Sequence, residues 1–366
     1  MTDLFEPLSF AHGAPMKNRF MLAPLTNCQS HVDGTLSDEE FSWLTYRATG
    51  GFGLVMSCAA HVQKSGQAFP GQLGSFSDEL LPGLSRLAAK IKAEGALSSV
   101  QLHHGGIRCP SDLIGEAPRG PSEDADTGAR ALATEEVEEL VEDFIAAAVR
   151  CEKAGFDGVE IHGAHGYILC AFLSPELNRR TDRYGGSLEN RTRIIHEIVD
   201  GIRARTGANF QLGLRLSPER FGLRMTEQIE VARQVLARGD LDYLDMSLWD
   251  VFKAPAEAEF AHKPLIDWFM DIPRGETRLG VAGKLMSGAD CRRVLEHGAD
   301  FALIGRGAIL HHDFPKRIAA DADFRSTALP VTRAYLANER LSPTFINYMN
   351  NWKGFVAQDE AEEAAV

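Results

Sequence analysis

Three proton-handling side chains stand together in the run Gly158-Val-Glu-Ile-His-Gly-Ala-His-Gly-Tyr167, namely His162, His165 and Tyr167. Two imidazoles can donate hydrogen bonds to an oxygen that gains negative charge. A phenol, with an ordinary pKa of about 10, keeps its proton at neutral pH and can act as an acid. One such residue at a strand end is most often a packed aromatic or a satisfied histidine. Three directly after a short apolar strand, residues 158–161, indicate a site. A second group suits a phosphate: Gly283 and Gly305-Arg306 each follow an apolar run, and glycine N–H groups beside an arginine bind anions well. Gln101 and Arg215 also end apolar runs, and they offer an amide and a cation to a polar ligand edge.

These residues need a scaffold that gathers strand ends. Apolar runs at 20–23, 54–59, 97–102, 158–161, 211–216, 243–247, 278–281 and 301–304 read as strands. Helical patterns alternate with them at 37–49, 79–94, 135–154, 187–206, 226–238, 289–297 and 308–320. Ser37, Thr134 and Ser187 are the expected N-caps. Residues 105–133 read as a long loop, and residues 249–278 as irregular with a helix near 264–270. Eight strand–helix units predict an α/β fold, a (β/α)8 barrel over residues 1–325, with strand C-termini converging on one mouth. That mouth would hold Thr26, Ala59, Gln101, His103, His104, His162, His165, Tyr167, Arg215, Ser247, Gly283, Gly305 and Arg306. Residues 326–366 form a tail without barrel units, expected to pack on the barrel or on a neighbouring subunit, which leaves a homo-oligomer open.

Composition narrows the function classes. The chain has 366 residues, 44% apolar and 24% charged, enough for a large core. A net charge of −13 argues against nucleic acid or an anionic membrane as partner. No apolar run approaches the ~20 residues of a membrane span, and the first ten residues show no secretory pattern, so a cytoplasmic enzyme is expected. The six cysteines, at 28, 58, 109, 151, 170 and 291, show no CxxC spacing, so no metal site is expected.

The central stretch continues as Phe172-Leu-Ser-Pro175, Asn178, Arg180-Thr-Asp182 and Tyr184-Gly-Gly-Ser187-x-Glu-Asn-Arg191. With His162-Gly-Ala-His165-Gly-Tyr167 it resembles the Old Yellow Enzyme family of flavin-dependent ene-reductases, a similarity spanning about residues 5–320. The resemblance implies FMN as cofactor, NAD(P)H as reductant, and a small activated alkene as substrate. It implies His162 and His165 on the substrate oxygen and Tyr167 as proton donor. Pro24, Thr26, Ala59, Gln101, Arg215, Gly283, Gly305 and Arg306 would contact the flavin. The chain departs from the family pattern at Gly105-Gly106-Ile107, where Ala-Gly-Arg is common, at Cys28, and at Lys284. Other reactions known in the family, such as amine demethylation, stay open. So do a metal-dependent barrel hydrolase using His103, His104, His162 and His165, and a flavin-binding barrel with little turnover.

Overall fold

In the computed structural model of the protein, residues 3–358 are described. The acidic, alanine-rich end of the tail lies outside them. Eight parallel strands close into a barrel in the order β1-β8-β7-β6-β5-β4-β3-β2. They are β1 (Phe20–Leu22), β2 (Leu54–His61), β3 (Leu97–His103), β4 (Gly158–Gly163), β5 (Gln211–Leu216), β6 (Tyr243–Ser247), β7 (Arg278–Ala282) and β8 (Phe301–Ile304). Nearly every strand residue is buried, as expected for strands packed between helices outside and side chains within. The lower interior is filled by Met21, Met56, Tyr243 and Phe301, closed from below by Leu8 and Met16. Leu8 and Met16 are themselves bridged in an antiparallel pair.

The outer layer comprises α1 (Asp38–Thr49), α2 (Leu81–Ala93), α3 (Thr134–Lys153), α4 (Leu188–Arg205), α5 (Met225–Arg238), α6 (Gly288–Glu296), α7 (Arg306–Leu310) and α8 (Phe314–Ala320). Ser37 and Ser187 cap α1 and α4, accepting from the N–H of Glu40 and Asn190. Thr134 does not cap α3. Its hydroxyl donates to Asp182 at 2.7 Å, and the Glu136 carboxylate instead accepts from the N–H of Ala133, the residue before the helix. The single helix expected over 308–320 is two, α7 and α8. The tail adds no barrel unit; it forms α9 (Arg333–Asn338) and α10 (Pro343–Asn350), whose Leu336, Phe345 and Met349 are fully buried.

Two details of the sheet matter for the site. β4 runs to Gly163, so His162 belongs to the strand and shares a face with Glu160. The ladder aligns Gln101 with Glu160, His162 with Arg215, and Arg215 with Asp245. Second, β2 carries a bulge between Met56 and Ala59. There Ser57 turns its hydroxyl to accept from the N–H of Gln101 at 3.2 Å, so the bulge re-aims Ala59 and steadies Gln101.

Candidate active site

The deepest polar layer lies inside the barrel. Gln101 Nε2 donates to Glu160 Oε1 at 2.7 Å. Gln101 lines the cavity above, so its Oε1 is left to accept from a ligand. Arg215 faces Asp245 at 2.8 Å and donates from Nη2 to Ser247 Oγ at 3.3 Å. Burial raises the pKa of Glu160, and the neighbouring Asp245 charge raises it further. Burial raises Asp245 too, against the pull of Arg215. Glu160 therefore keeps its proton at neutral pH while Asp245 balances Arg215.

This carries a stability consequence. The folded state holds a proton on Glu160 that the unfolded chain releases above about pH 4.3. That group's contribution is complete below this pH and declines as pH rises toward the folded value. Glu160→Gln keeps an acceptor for Gln101 and should flatten the fall of Tm between about pH 5 and 8. A thermal-melt profile indistinguishable from wild type would show that Glu160 ionises as an ordinary carboxylate.

Above this layer stand the three residues of β4 and its loop. The N–H of Ala164 donates to His162 Nδ1 at 3.2 Å, which assigns the ring proton to Nε2. His162 Nε2 lies 3.3 Å from His165 Nδ1, and His165 Nε2 lies 2.8 Å from Ser247 Oγ. The chain Ala164 → His162 → His165 → Ser247 thus holds both rings in one orientation. Burial keeps both imidazoles well below their usual pKa, so they are neutral donors. Tyr167 packs edge-on to His103, ring centres 4.3 Å apart. Burial raises its phenol pKa, although the Arg108 guanidinium, 4.7 Å from the ring centre, works the other way.

Pro24, Thr26, Ala59, Gln101, His162, His165, Tyr167, Arg215, Gly283, Gly305 and Arg306 all line one cavity of about 470 Å³. His103 and His104 do not. His103 Nδ1 meets Gln72 Nε2 at 3.0 Å, and His104 Nδ1 accepts from the N–H of Gly106. Among the described residues, no three His, Cys, Asp or Glu side chains are grouped to hold a metal. Gly283 allows a close approach: a Cβ there would sit 2.8 Å from the Asp250 nitrogen, and the 249–250 loop could not close on β7.

Several wall residues were not expected from the sequence. Loops supply Arg108, Arg220, Phe221, Trp249 and Lys284, and the tail supplies Tyr348, Met349 and Trp352. His165, Arg220, Phe221, Trp249 and Lys284 all hold left-handed backbone, with φ between 55° and 72°. Non-glycine residues pay for that conformation, and it gathers here because the surrounding contacts fix it. Arg108 could have been found: it stands one position after the arginine expected beside Gly106, and its Nη1 donates to the carbonyl of His165 at 2.6 Å.

The donor set suits FMN. One end offers an acceptor at Gln101 and a cation at Arg215, matching the N–H and carbonyl edge of a flavin ring. The other end offers Gly283, Gly305 and a half-buried Arg306. A (β/α)8 barrel with this mouth defines a flavin oxidoreductase. The chain belongs to the NADH:flavin oxidoreductase / NADH oxidase family, the family of Old Yellow Enzyme, whose sequence model matches residues 3–322. It is 39% identical over 326 residues to the probable NADH-dependent flavin oxidoreductase YqiG of Bacillus subtilis, covering 86% of this chain and 87% of that protein. It is 33% identical to an NADPH dehydrogenase of Halalkalibacterium halodurans, covering 84% and 92%. The structure of an Old Yellow Enzyme homologue from Zymomonas mobilis superposes with a TM-score of 0.77 at 27% identity, covering 92% of this chain and 96% of the other. The protein is an NAD(P)H-dependent flavin oxidoreductase with FMN as its cofactor.

Proposed function

We propose that this enzyme reduces the activated C=C bond of α,β-unsaturated carbonyl compounds or related alkenes. The observation that carries the reading is the wall formed by His162, His165 and Tyr167: two neutral donors and one protonated phenol on a single cavity face. In this reading residues 1–325 are the FMN-binding unit and the tail is its appended wall. Gln101 and Arg215 would hold the pyrimidine edge, Pro24, Thr26 and Ala59 would flank the ring, and Gly283, Gly305 and Arg306 would hold the phosphate. When bound, FMN would supply the hydride-transfer chemistry that links NAD(P)H to the β-carbon of the alkene.

The protein's own residues do the rest. His162 Nε2–H turns from His165 to the substrate carbonyl oxygen, and His165 joins it by releasing Ser247. Both donors strengthen as that oxygen gains charge. Tyr167 gives its phenolic proton to the α-carbon and regains one from solvent. The sum is alkene, NAD(P)H and a proton giving the saturated product and NAD(P)+.

Tyr167→Phe tests the assignment. FMN content and reduction by NAD(P)H should be unchanged, while reduction of 2-cyclohexenone slows by about 10²-fold or more. Full alkene turnover in this variant would remove Tyr167 from the role. A reduced wild-type enzyme whose reoxidation is not accelerated by any of a panel of enones, nitroalkenes and maleimides would sink the whole reading.

A further inference from the structure

The walls of the cavity are one-sided in charge. Five cationic side chains line it, Arg108, Arg215, Arg220, Lys284 and Arg306, and among the described residues no carboxylate does. This occurs in a chain of net charge −13. Three of the five are accounted for. Arg215 is matched by Asp245 at 2.8 Å, Lys284 by Asp250 at 2.7 Å, and Arg306 is assigned above to the FMN phosphate. Arg108 and Arg220 are exposed, and neither forms an ion pair among the described residues.

Neither guanidinium is loose. Arg108 is anchored by its bond to the His165 carbonyl and lies over Tyr167. Arg220 lies 4.8 Å from the Trp249 ring centre and 5.8 Å from that of Phe221, on backbone already held at φ 72°. Stacked guanidiniums lose little further freedom on binding, and their N–H forks match carboxylate geometry. Two such cations at a mouth also raise the local concentration of anions.

We propose that this mouth selects acceptors bearing a carboxylate, with Arg108 and Arg220 holding that group while His162 and His165 hold the reacting carbonyl. The proposal rests on the ene-reductase reading and names its substrate class. The pyrophosphate of NAD(P)H presents similar anionic oxygens, so the test must separate substrate from reductant.

The probes are trans-4-oxo-2-pentenoate and its methyl ester, which share one enone and differ in charge. The FMN-loaded enzyme is reduced with dithionite, without nicotinamide, and its reoxidation by each probe is followed. Intrinsic reactivity cancels when the acid-to-ester ratio of rate constants is compared between proteins. The ratio should fall about tenfold in Arg220→Gln and further in Arg108→Gln/Arg220→Gln, with Arg220→Lys recovering part of it. Added salt should lower the wild-type ratio and leave the double variant's unchanged. As a binding readout, 4-oxopentanoate should perturb the flavin spectrum of Arg220→Gln only at about tenfold higher concentration, its methyl ester being unaffected. An acid-to-ester ratio equal in wild type and both variants overturns the proposal. So does a pattern in which the variants slow reduction by NADH and NADPH but not by 1-benzyl-1,4-dihydronicotinamide, with the ratio unmoved, since the arginines would then serve the reductant. If neither probe reoxidises the wild type while other members of the enone, nitroalkene and maleimide panel do, this inference falls alone; if none does, the ene-reductase reading has failed and this inference falls with it. An ester that reacts beside an acid without advantage overturns the inference and leaves that reading standing.

Discussion

Replacing His162 by alanine and His165 by glycine together should lower alkene reduction about 10³-fold or more, because each lost donor to a developing oxyanion costs about 10²–10³ in rate. Glycine is chosen at 165 because that residue holds φ 63°, where glycine is at ease. FMN content should not change, since the rings bond Ala164, each other and Ser247, and not Gln101 or Arg306. The same variant should lose binding of phenol ligands, read as the absence of a long-wavelength charge-transfer band on titration. Phenols that still bind with full affinity would contradict the assignment of these rings to the substrate oxygen. The pH dependence gives a second check. Burial keeps both imidazoles neutral well below the ordinary range. The wild-type kcat should therefore stay level as pH falls from about 8 to 6, and an inflection near the ordinary histidine value of about 6.5 would show that one of them titrates.

The second large effect concerns stability. Arg47 is fully buried in α1, stacked on Trp43 with its guanidinium 4.2 Å from the ring centre. Nε donates to the carbonyl of Ala308 at 3.1 Å, and Nη1 to the carbonyl of Glu339 at 2.8 Å. One side chain thus ties the first helix to α7 and to the tail. Arg47→Met fills most of the volume but strands those carbonyls and leaves the Glu339 carboxylate with its bonds from His312 alone. Removing one partner from such a buried network costs roughly 3–5 kcal/mol. Urea unfolding should report that loss. Limited proteolysis should cut the variant within residues 326–342 before the barrel is cleaved. A variant within about 1 kcal/mol of wild type would show that the hub is dispensable.

Much of this architecture is legible in the chain. Strands β5, β6 and β8 match their predicted bounds residue for residue: β8 is an unbroken apolar run, as a strand buried on both faces should be, while β5 is marked by the alternation of its leucines with Gln211, Gly213 and Arg215. The convergence of Gln101, His162, Arg215 and Gly305 follows from their places at strand ends, which closure of the barrel brings together. Other features leave weaker traces. Thr134 has the right chemistry for a cap, yet a better acceptor at Asp182, distant in sequence, takes its hydroxyl. Trp249 and Arg220 lie in segments without periodicity, where local pattern does not say which way a side chain faces. The aromatics of the tail are visible as residues, but where a terminal segment docks depends on surface shape that no local signal encodes.

That docking separates two properties usually bound together. The reactive floor comes from strands whose positions the whole barrel enforces. One wall, Tyr348, Met349 and Trp352, comes from an appended segment held by a few anchors such as Phe345 against Trp43. Exchange of that segment alone can therefore diversify which molecules are admitted while the chemistry beneath is inherited intact, which makes the C-terminus the natural place to retune selectivity by grafting.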